Sequence, residues 1–186
     1  YMGAMVFGKT DTERIQISEN SLSNPYRSGK AGSGLNNFAE VYLDFNHPGA
    51  SNYRRELDLK TAVQTVAYTS GGVDYTREYF TSYPAKVLAV RLTADQPGKI
   101  SFGLRPQIPF LKAYGTDDNR GKTGTVTTAG DTITLSGEME RYGIEYEGQI
   151  KVIPEGGTYR TGQDSISVSG ADSVTLLMAV GTNYRM

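Results

Sequence analysis

Apolar and polar residues alternate along almost the whole chain, and this pattern constrains the fold more than any other feature. In residues 40–45, Val41, Leu43 and Phe45 alternate with polar neighbours, and residues 144–152 repeat the pattern. A period of two places every second side chain on one face of a β-strand, whereas an α-helix would scatter these residues around its circumference. The sequence therefore predicts an all-β protein.

Glycine-rich and polar turns divide the chain into short strands. One predicted hairpin joins 63–68 to 73–80 through Thr-Ser-Gly-Gly, and a second joins 86–93 to 99–104. Glycine tolerates the positive φ that tight hairpin turns require. Further strands are predicted at 12–18, 123–128, 132–135 and 166–168, a central strand covered on both faces at 174–180, and long loops at 23–37 and 112–122.

This many short strands favours two packed sheets over a single open sheet. We therefore predict a large antiparallel two-sheet β-sandwich, with residues 1–186 forming a single domain. A chain of 186 residues can bury a sufficient core without covalent staples. It contains no cysteine and one histidine, which excludes a disulfide, a thiolate metal site and a histidine-rich metal site. We predict neither a metal nor a cofactor.

The charge balance bears on possible partners. The chain has 19 Lys and Arg against 20 Asp and Glu, a net charge of −1, so no global positive field is available to hold a nucleic acid. No apolar run approaches the roughly 20 residues that span a bilayer. We predict no nucleic-acid partner and no membrane insertion.

Hydrolysis of a glycosidic bond generally needs two facing carboxyl groups, so the glutamates are the first candidates. The available carboxylates are Glu13, Glu19, Glu138, Glu140, Glu145 and Glu147, and the last four lie near a strand end or on a polar strand face. The alternation of these four with apolar residues indicates a solvated surface rather than a catalytic pair. His47 follows a strand and precedes a turn, where an imidazole can cap carbonyl groups or reach solvent. No second histidine or serine nucleophile motif accompanies it.

Tyr75 and Tyr79 share one face of a predicted strand. Two such rings could form a platform for a sugar, but cross-strand aromatic packing is the commoner arrangement. The chain has no tryptophan, which weakens the interpretation as a lectin or carbohydrate-binding module.

The charged segment 53–59 also alternates. Arg55 lies on the same side as Leu57 and Leu59, which predicts an arginine on the inner face of a sheet. A buried arginine needs a counter-ion, and Glu78 or Asp58 would supply it.

The same segment, Tyr-Arg-Arg-Glu-Leu-Asp-Leu at 53–59, is followed by Val-Asp-Tyr-Thr-Arg-Glu-Tyr-Phe-Thr-Ser at 73–82. With 3–8, 13–16, 87–92, 143–157 and 182–184, these stretches cover nearly the whole chain in order. The chain resembles the N-terminal domain of glycoside hydrolase family 95, which includes α-L-fucosidases and relatives acting on α-L-galactosides.

The resemblance implies a β-sandwich of the supersandwich type that precedes a helical (α/α) toroid. The catalytic acid and an asparagine-assisted base would lie in that toroid, so the resemblance assigns no catalytic residue to this chain. It also implies an inverting exo-glycosidase that removes a terminal α-L-fucosyl or similar residue, without metal or cofactor. The expected partners are the helical catalytic domain of the same polypeptide and an oligosaccharide substrate, and the expected location is secreted or periplasmic.

One loop departs from the family pattern. Family members read roughly Leu-Asn-Glu-Asp-Thr-Leu-Trp where this chain reads Ile-Ser-Glu-Asn-Ser-Leu-Ser at 17–23. We predict that Glu19 and Asn20 bind substrate at the rim of the active-site pocket. The alternative is that both side chains hydrogen-bond within their own turn. The lost aromatic ring and carboxylate leave the identity of the terminal sugar open.

Two expectations about the whole protein follow. The sequence opens inside a strand-like apolar segment, so we expect a piece of a longer glycosidase that is inactive by itself. The competing hypothesis is a carbohydrate-binding or adhesive β-sandwich without catalysis.

Overall fold

The computed structural model describes residues 2–22, 37–111, 122–140 and 143–185. These residues form a 3-10 helix at Asn20–Leu22 and fourteen β-strands. The strands are β1 (Met2–Val6), β2 (Thr12–Glu19), β3 (Asn37–Asp44), β4 (Ser51–Asp58), β5 (Val63–Ser70), β6 (Val73–Ser82), β7 (Val87–Ala94), β8 (Ile100–Gln107), β9 (Lys122–Ala129), β10 (Thr132–Met139), β11 (Ile144–Glu155), β12 (Thr158–Thr161), β13 (Ile166–Ala171) and β14 (Ser173–Thr182).

The strands form two antiparallel sheets, which confirms the predicted all-β sandwich. The smaller sheet has the order β1-β2-β3-β8-β13-β12, and the larger sheet has the order β4-β5-β6-β7-β14-β11-β10-β9. The core lies between them, where Ile15, Val41 and Leu104 of the smaller sheet and Val90 and Leu176 of the larger sheet are fully buried. Burial of these alternating apolar side chains holds the sheets together.

One of the two predicted hairpins is confirmed. β5 and β6 pair across a turn in which Gly71 and Gly72 both have positive φ. The second is wrong, because β7 belongs to the larger sheet and β8 to the smaller. The neighbours of β7 are β6 and β14, so both of its edges are occupied and it has no free edge for β8. The connection crosses from one sheet to the other.

The apolar strand β14 does lie centrally, between β7 and β11. Its inner side chains Val174, Leu176 and Met178 are buried, whereas Leu177 on the other face is half-buried and Ala179 is exposed. The prediction that this strand is covered on both faces is therefore wrong for the outer face.

For Arg55 the predicted inner face is confirmed, but the predicted burial and counter-ion are wrong. Arg55 lies opposite the buried Val66, on the inner side of the larger sheet as the alternation suggests. However, β4 ends that sheet and all eight of its residues are exposed. The guanidinium donates from Nη1 to the carbonyl oxygen of Phe7 at 2.9 Å, rather than pairing with Glu78 or Asp58. An edge strand can direct residues inward without burying them.

The two predicted loops lie almost wholly outside the described residues, at 23–36 and 112–121. Their last residues, Asn37 and Lys122, begin β3 and β9. Lys122 is buried and its Nζ donates to the backbone oxygen of Asn37 at 2.9 Å. This bond connects the two sheets, and burial lowers the pKa of Lys122 to about 8.

Candidate functional site

A cleft of about 660 Å³ opens where the ends of the two sheets meet. Its walls come from the end of β2, the turn after β6 and the end of β14. Polar and aromatic lining residues include Glu19, Ser21, Tyr83, Lys86, Thr182 and Tyr184. The volume lies within the range of pockets that hold small ligands.

Glu19 is positioned by its own turn. It is 6% exposed at the end of β2, and its Oε1 accepts hydrogen bonds from the backbone N–H of Ser21 at 3.2 Å and from the Ser21 hydroxyl at 2.9 Å. The Thr182 hydroxyl donates to the Ser21 hydroxyl oxygen at 2.6 Å. These bonds fix the carboxylate and connect its turn to β14, 161 residues away in the chain.

The structure therefore gives Glu19 the local bonds of the alternative interpretation and also places it in the wall of the cleft. Asn20 follows as the first residue of the 3-10 helix and is exposed. The binding of substrate by these two residues stays a prediction.

The rest of the cleft offers groups that suit a polyhydroxylated ligand. Tyr83 is 81% exposed and Tyr184 is 45% exposed, so both rings are available for stacking. Lys86 supplies hydrogen-bond donors, and the hydroxyls of Ser21 and Thr182 can donate or accept. Among the described lining residues Glu19 holds the one carboxylate. The cleft thus has the chemistry of a binding site but lacks a pair of carboxyl groups for hydrolysis.

Three of the other glutamates, Glu138, Glu145 and Glu147, line a second cleft of about 560 Å³. Glu138 lies opposite Glu145 on β10 and β11, and Glu138, Glu140, Glu145 and Glu147 are all exposed. The solvated surface predicted for them is confirmed. Within the described ranges, no three His, Cys, Asp or Glu residues come together as a group that could hold a metal ion. None of the described helical residues forms a segment suited to crossing a bilayer.

A buried polar cluster that the sequence analysis missed lies between the sheets. Arg77 on β6 is 1% exposed and Glu13 on β2 is fully buried, with 3.4 Å between Nη1 and Oε2. Glu13 also accepts from the backbone N–H of Gly8 at 2.7 Å and from the Tyr79 hydroxyl at 3.0 Å. Burial raises the pKa of Glu13 above its ordinary value, although these donors and Arg77 act in the opposite direction.

Arg77 is bound from several sides. It donates to the backbone oxygens of Lys9 at 2.6 Å and Thr10 at 2.9 Å, and to the Tyr68 hydroxyl. Its guanidinium lies 3.8 Å from the ring centroid of Phe45. The arginine therefore ties the connection between β1 and β2 to the larger sheet.

His47 and the tyrosines belong to the same packed region. Nδ1 of His47 lies 2.8 Å from the Tyr68 hydroxyl, and its ring centroid lies 4.2 Å from that of Tyr75. Tyr68 and Tyr75 are cross-strand neighbours with stacked rings. Burial, helped by Arg77, lowers the pKa of His47. Tyr75 and Tyr79 are buried, so their rings are not available as a platform for a sugar. The prediction of cross-strand aromatic packing is confirmed.

The fold defines the class of protein as an antiparallel β-sandwich domain. The cleft beside Glu19 has a single carboxylate among its described lining residues. Residues 22–186 match the family described as glycosyl hydrolase family 65, N-terminal domain. The chain belongs to this family of glycoside hydrolase N-terminal domains. The assignment to family 95 in particular stays a prediction.

Known relatives agree with this membership. The chain is 28% identical over 151 residues to "Alpha-L-fucosidase 2" of Arabidopsis thaliana, covering 72% of the chain and 17% of that protein. It is 30% identical over 139 residues to "Probable alpha-fucosidase A" of Aspergillus niger, covering 72% of the chain and 16% of that protein. The predicted resemblance to an α-L-fucosidase-like N-terminal domain is confirmed.

A protein of the same description from Aspergillus oryzae is 22% identical over 233 residues, covering 98% of the chain and 30% of that protein. The solved structure of a "Putative kojibiose phosphorylase from human microbiome" superposes with a TM-score of 0.53 at 11% identity, over 100% of this chain and 30% of that one. The structural likeness shows the fold alone. The chain spans less than a third of the length of each of these proteins.

Proposed function

We propose that this chain is the non-catalytic N-terminal β-sandwich of an α-L-fucosidase-like glycoside hydrolase of family 95. The observation that carries the proposal is the family match over residues 22–186, together with a cleft whose described lining holds a single carboxylate. An inverting glycosidase needs an acid and a base on opposite sides of the scissile bond. We assign both groups to a helical catalytic domain of the same polypeptide, which the sandwich supports.

The cleft gives the domain a second role, as part of the wall of the substrate pocket. Glu19 is buried and held by Ser21, so its carboxylate has a fixed direction at little entropic cost. In this proposal Glu19 and Asn20 bind hydroxyl groups of an oligosaccharide whose terminal residue is an α-L-fucosyl or similar sugar. The reacting groups come from the catalytic domain, and the sandwich contributes to the orientation of the substrate.

The exposed rings of Tyr83 and Tyr184 favour a second candidate function. Exposed aromatic side chains around a groove with hydroxyls and a carboxylate also suit a carbohydrate-binding module without catalysis. In that case the isolated chain binds fucosylated oligosaccharides by itself, with no contribution from another domain.

Reading the gene on both sides of this segment tests the first proposal. We expect a helical region downstream, a secretion signal upstream, since we propose a secreted or periplasmic protein, and hydrolysis of α-L-fucosides or α-L-galactosides only by the long protein. The purified 186-residue chain serves as the inactive control. A natural chain that ends near Met186, or hydrolysis by the chain alone, would contradict the proposal.

The role of Glu19 is tested by Glu19→Gln in the long protein. Loss of a charge-assisted hydrogen bond to substrate is worth about 1.5–3 kcal/mol, so we expect kcat/KM to fall at least about tenfold. The matched control is Glu145→Gln, which changes an exposed glutamate on the face of β11. If both variants had the same kcat/KM as the wild type, the proposal that Glu19 binds substrate would be contradicted.

A further inference from the structure

The edge strand β4 is an open edge of the larger sheet. Among the described strands it pairs only with β5, and all eight of its residues are exposed. It contains neither proline nor lysine, two residues that commonly block pairing at sheet edges. Its four charged residues carry both signs, so they can pair with charges on a neighbouring strand. The register shift between Ser51 and Arg54 and the positive φ of Asn52 disturb the strand as far as Tyr53, and residues 54–58 pair regularly with β5. The rest of the strand can accept a new neighbour.

We propose that β4 pairs with β4 of a second copy of this chain, in antiparallel orientation about a two-fold axis at Arg55. The two larger sheets then form one continuous sheet. An axis that relates antiparallel neighbours stands perpendicular to the sheet, so opposing residues point to the same face. The register must therefore centre on a residue rather than between two residues, which leaves few possible arrangements.

The side chains of β4 are complementary to themselves when Arg55 is the centre. Arg54, which pairs with Glu56 of its own chain, then also lies opposite Glu56 of the partner subunit. Tyr53, the last residue of the irregular segment, lies opposite Leu57 of the partner subunit, and each contact occurs twice by symmetry. Tyr53 is 49% exposed and Leu57 is 56% exposed, so their contact covers apolar surface now in water. Opposite charges and apolar pairs directly across two strands both stabilise a sheet.

Neighbouring registers are less complementary. A centre at Arg54 opposes two arginines, and a centre at Leu57 opposes Glu56 and Asp58. A centre at Glu56 pairs Arg54 with Asp58 but opposes two glutamates at the axis. Each of these registers brings like charges together. A centre at Arg55 also opposes two arginines, but each is turned toward its own subunit, where Nη1 donates to the Phe7 carbonyl at 2.9 Å. The charges on Arg55 are thereby directed away from the axis.

Cysteine cross-linking tests the register directly, because the chain contains no cysteine. Residues directly opposite in an antiparallel pair have Cα atoms about 4.5–5.5 Å apart, a separation that a disulfide can span. We expect Arg55→Cys to form covalent dimers under mild oxidation. The matched control Arg160→Cys places the thiol on the exposed strand β12, which ends the smaller sheet, and should remain monomeric.

Sedimentation equilibrium of the 186-residue chain tests the association without a new thiol. We expect a concentration-dependent dimer that Leu57→Lys weakens at least about tenfold, since the lysine faces an apolar ring. Leu59→Lys, at a residue that is 86% exposed and lies beyond the paired segment, should leave the dimer unchanged.

A charge exchange separates pairing between subunits from nonspecific association. Glu56→Arg should weaken the dimer, and the double variant Arg54→Glu/Glu56→Arg should restore it, because the cross-strand pairs are re-formed with exchanged signs. The proposal is overturned by a wild-type chain that stays monomeric at all concentrations. It is equally overturned by cross-linking of Glu56→Cys in place of Arg55→Cys, or by a double variant that does not dimerise.

Discussion

Replacing Arg77 with methionine is expected to lower the free energy of unfolding by about 3–5 kcal/mol. Glu13 is fully buried 3.4 Å from Arg77, and removal of the arginine leaves the carboxylate without its counter-ion. The variant also loses the bonds from Arg77 to the backbone oxygens of Lys9 and Thr10. Most domains have a net stability of about 5–15 kcal/mol, so the effect is a large fraction of the total. Urea unfolding measures it.

The matched control is Arg55→Met, which removes the other arginine that shares a face with apolar residues. Arg55 is exposed and makes one bond to a backbone oxygen, so we expect a change within about 0.5 kcal/mol. Similar losses for both variants would mean that the buried pair contributes nothing beyond an ordinary surface arginine.

The loss in Arg77→Met should also depend on pH. Burial raises the pKa of Glu13 above its ordinary value of 4.5. Between that value and the folded pKa, Glu13 is protonated in the folded chain and ionised in the unfolded chain. Stability therefore falls as pH rises from about 4.5 through the folded pKa. Without Arg77 this pKa rises further. The difference in free energy of unfolding between the variant and the wild type is therefore smallest at or below pH 4.5 and increases as the pH rises. A His47→Gln background removes the titration of that neighbouring histidine.

Arg77 could have been found in the sequence by the reasoning that was applied to Arg55. Residues 73, 75, 77 and 79 alternate as Val, Tyr, Arg and Tyr, and Glu13 shares its face with Ile15 and Ile17. Both segments therefore place a charged residue among apolar ones. Alternation predicts the side to which a residue points, but burial depends on whether the other sheet covers that strand. Coverage is set by strand order, which local sequence does not encode.

The second predicted hairpin failed for the same reason. The turn Ala-Asp-Gln-Pro-Gly at 94–98 can join two paired strands or pass between two sheets, and its residues are compatible with both. The strands β7 and β8 were predicted at nearly their observed bounds. Their assignment to different sheets follows from the pairing of β7 with β14, whose paired residues lie between 80 (Thr93 and Ser173) and 92 (Val87 and Ala179) positions further along the chain. Local chemistry does not identify such a distant partner.

The cleft shows how far the site itself was predictable. The family pattern singled out Glu19, and the structure places that residue in the cleft wall. Tyr83 and Lys86 come from a distant segment and carry no motif of their own, so they were missed. Thr182 lies in a stretch that matches the family, but that match assigns it no role. They meet because β6 and β7 pair and β14 lies beside β7.

Gly137→Ala is expected to destabilise the chain by about 3 kcal/mol, at the upper end of the range for an overpacked interior. A Cβ atom at Gly137 would lie 2.0 Å from the backbone oxygen of Thr123 on the neighbouring strand β9 and 2.5 Å from the Tyr146 hydroxyl. That hydroxyl donates to the same Thr123 oxygen at 2.6 Å. A methyl group here would therefore push two paired strands apart and break this bond.

The matched control is Gly3→Ala, because Gly3 also lies within a strand but a Cβ there meets nothing within 4 Å. Neither glycine has a positive φ, so both variants gain the same favourable reduction of unfolded-state entropy. We expect Gly3→Ala to be neutral or stabilising by up to about 1 kcal/mol, and thermal unfolding of the pair isolates the steric cost at Gly137. Adding Tyr146→Phe to Gly137→Ala should recover only part of the loss, because the Thr123 carbonyl remains in the way. Complete recovery would show that the tyrosine hydroxyl alone requires the glycine.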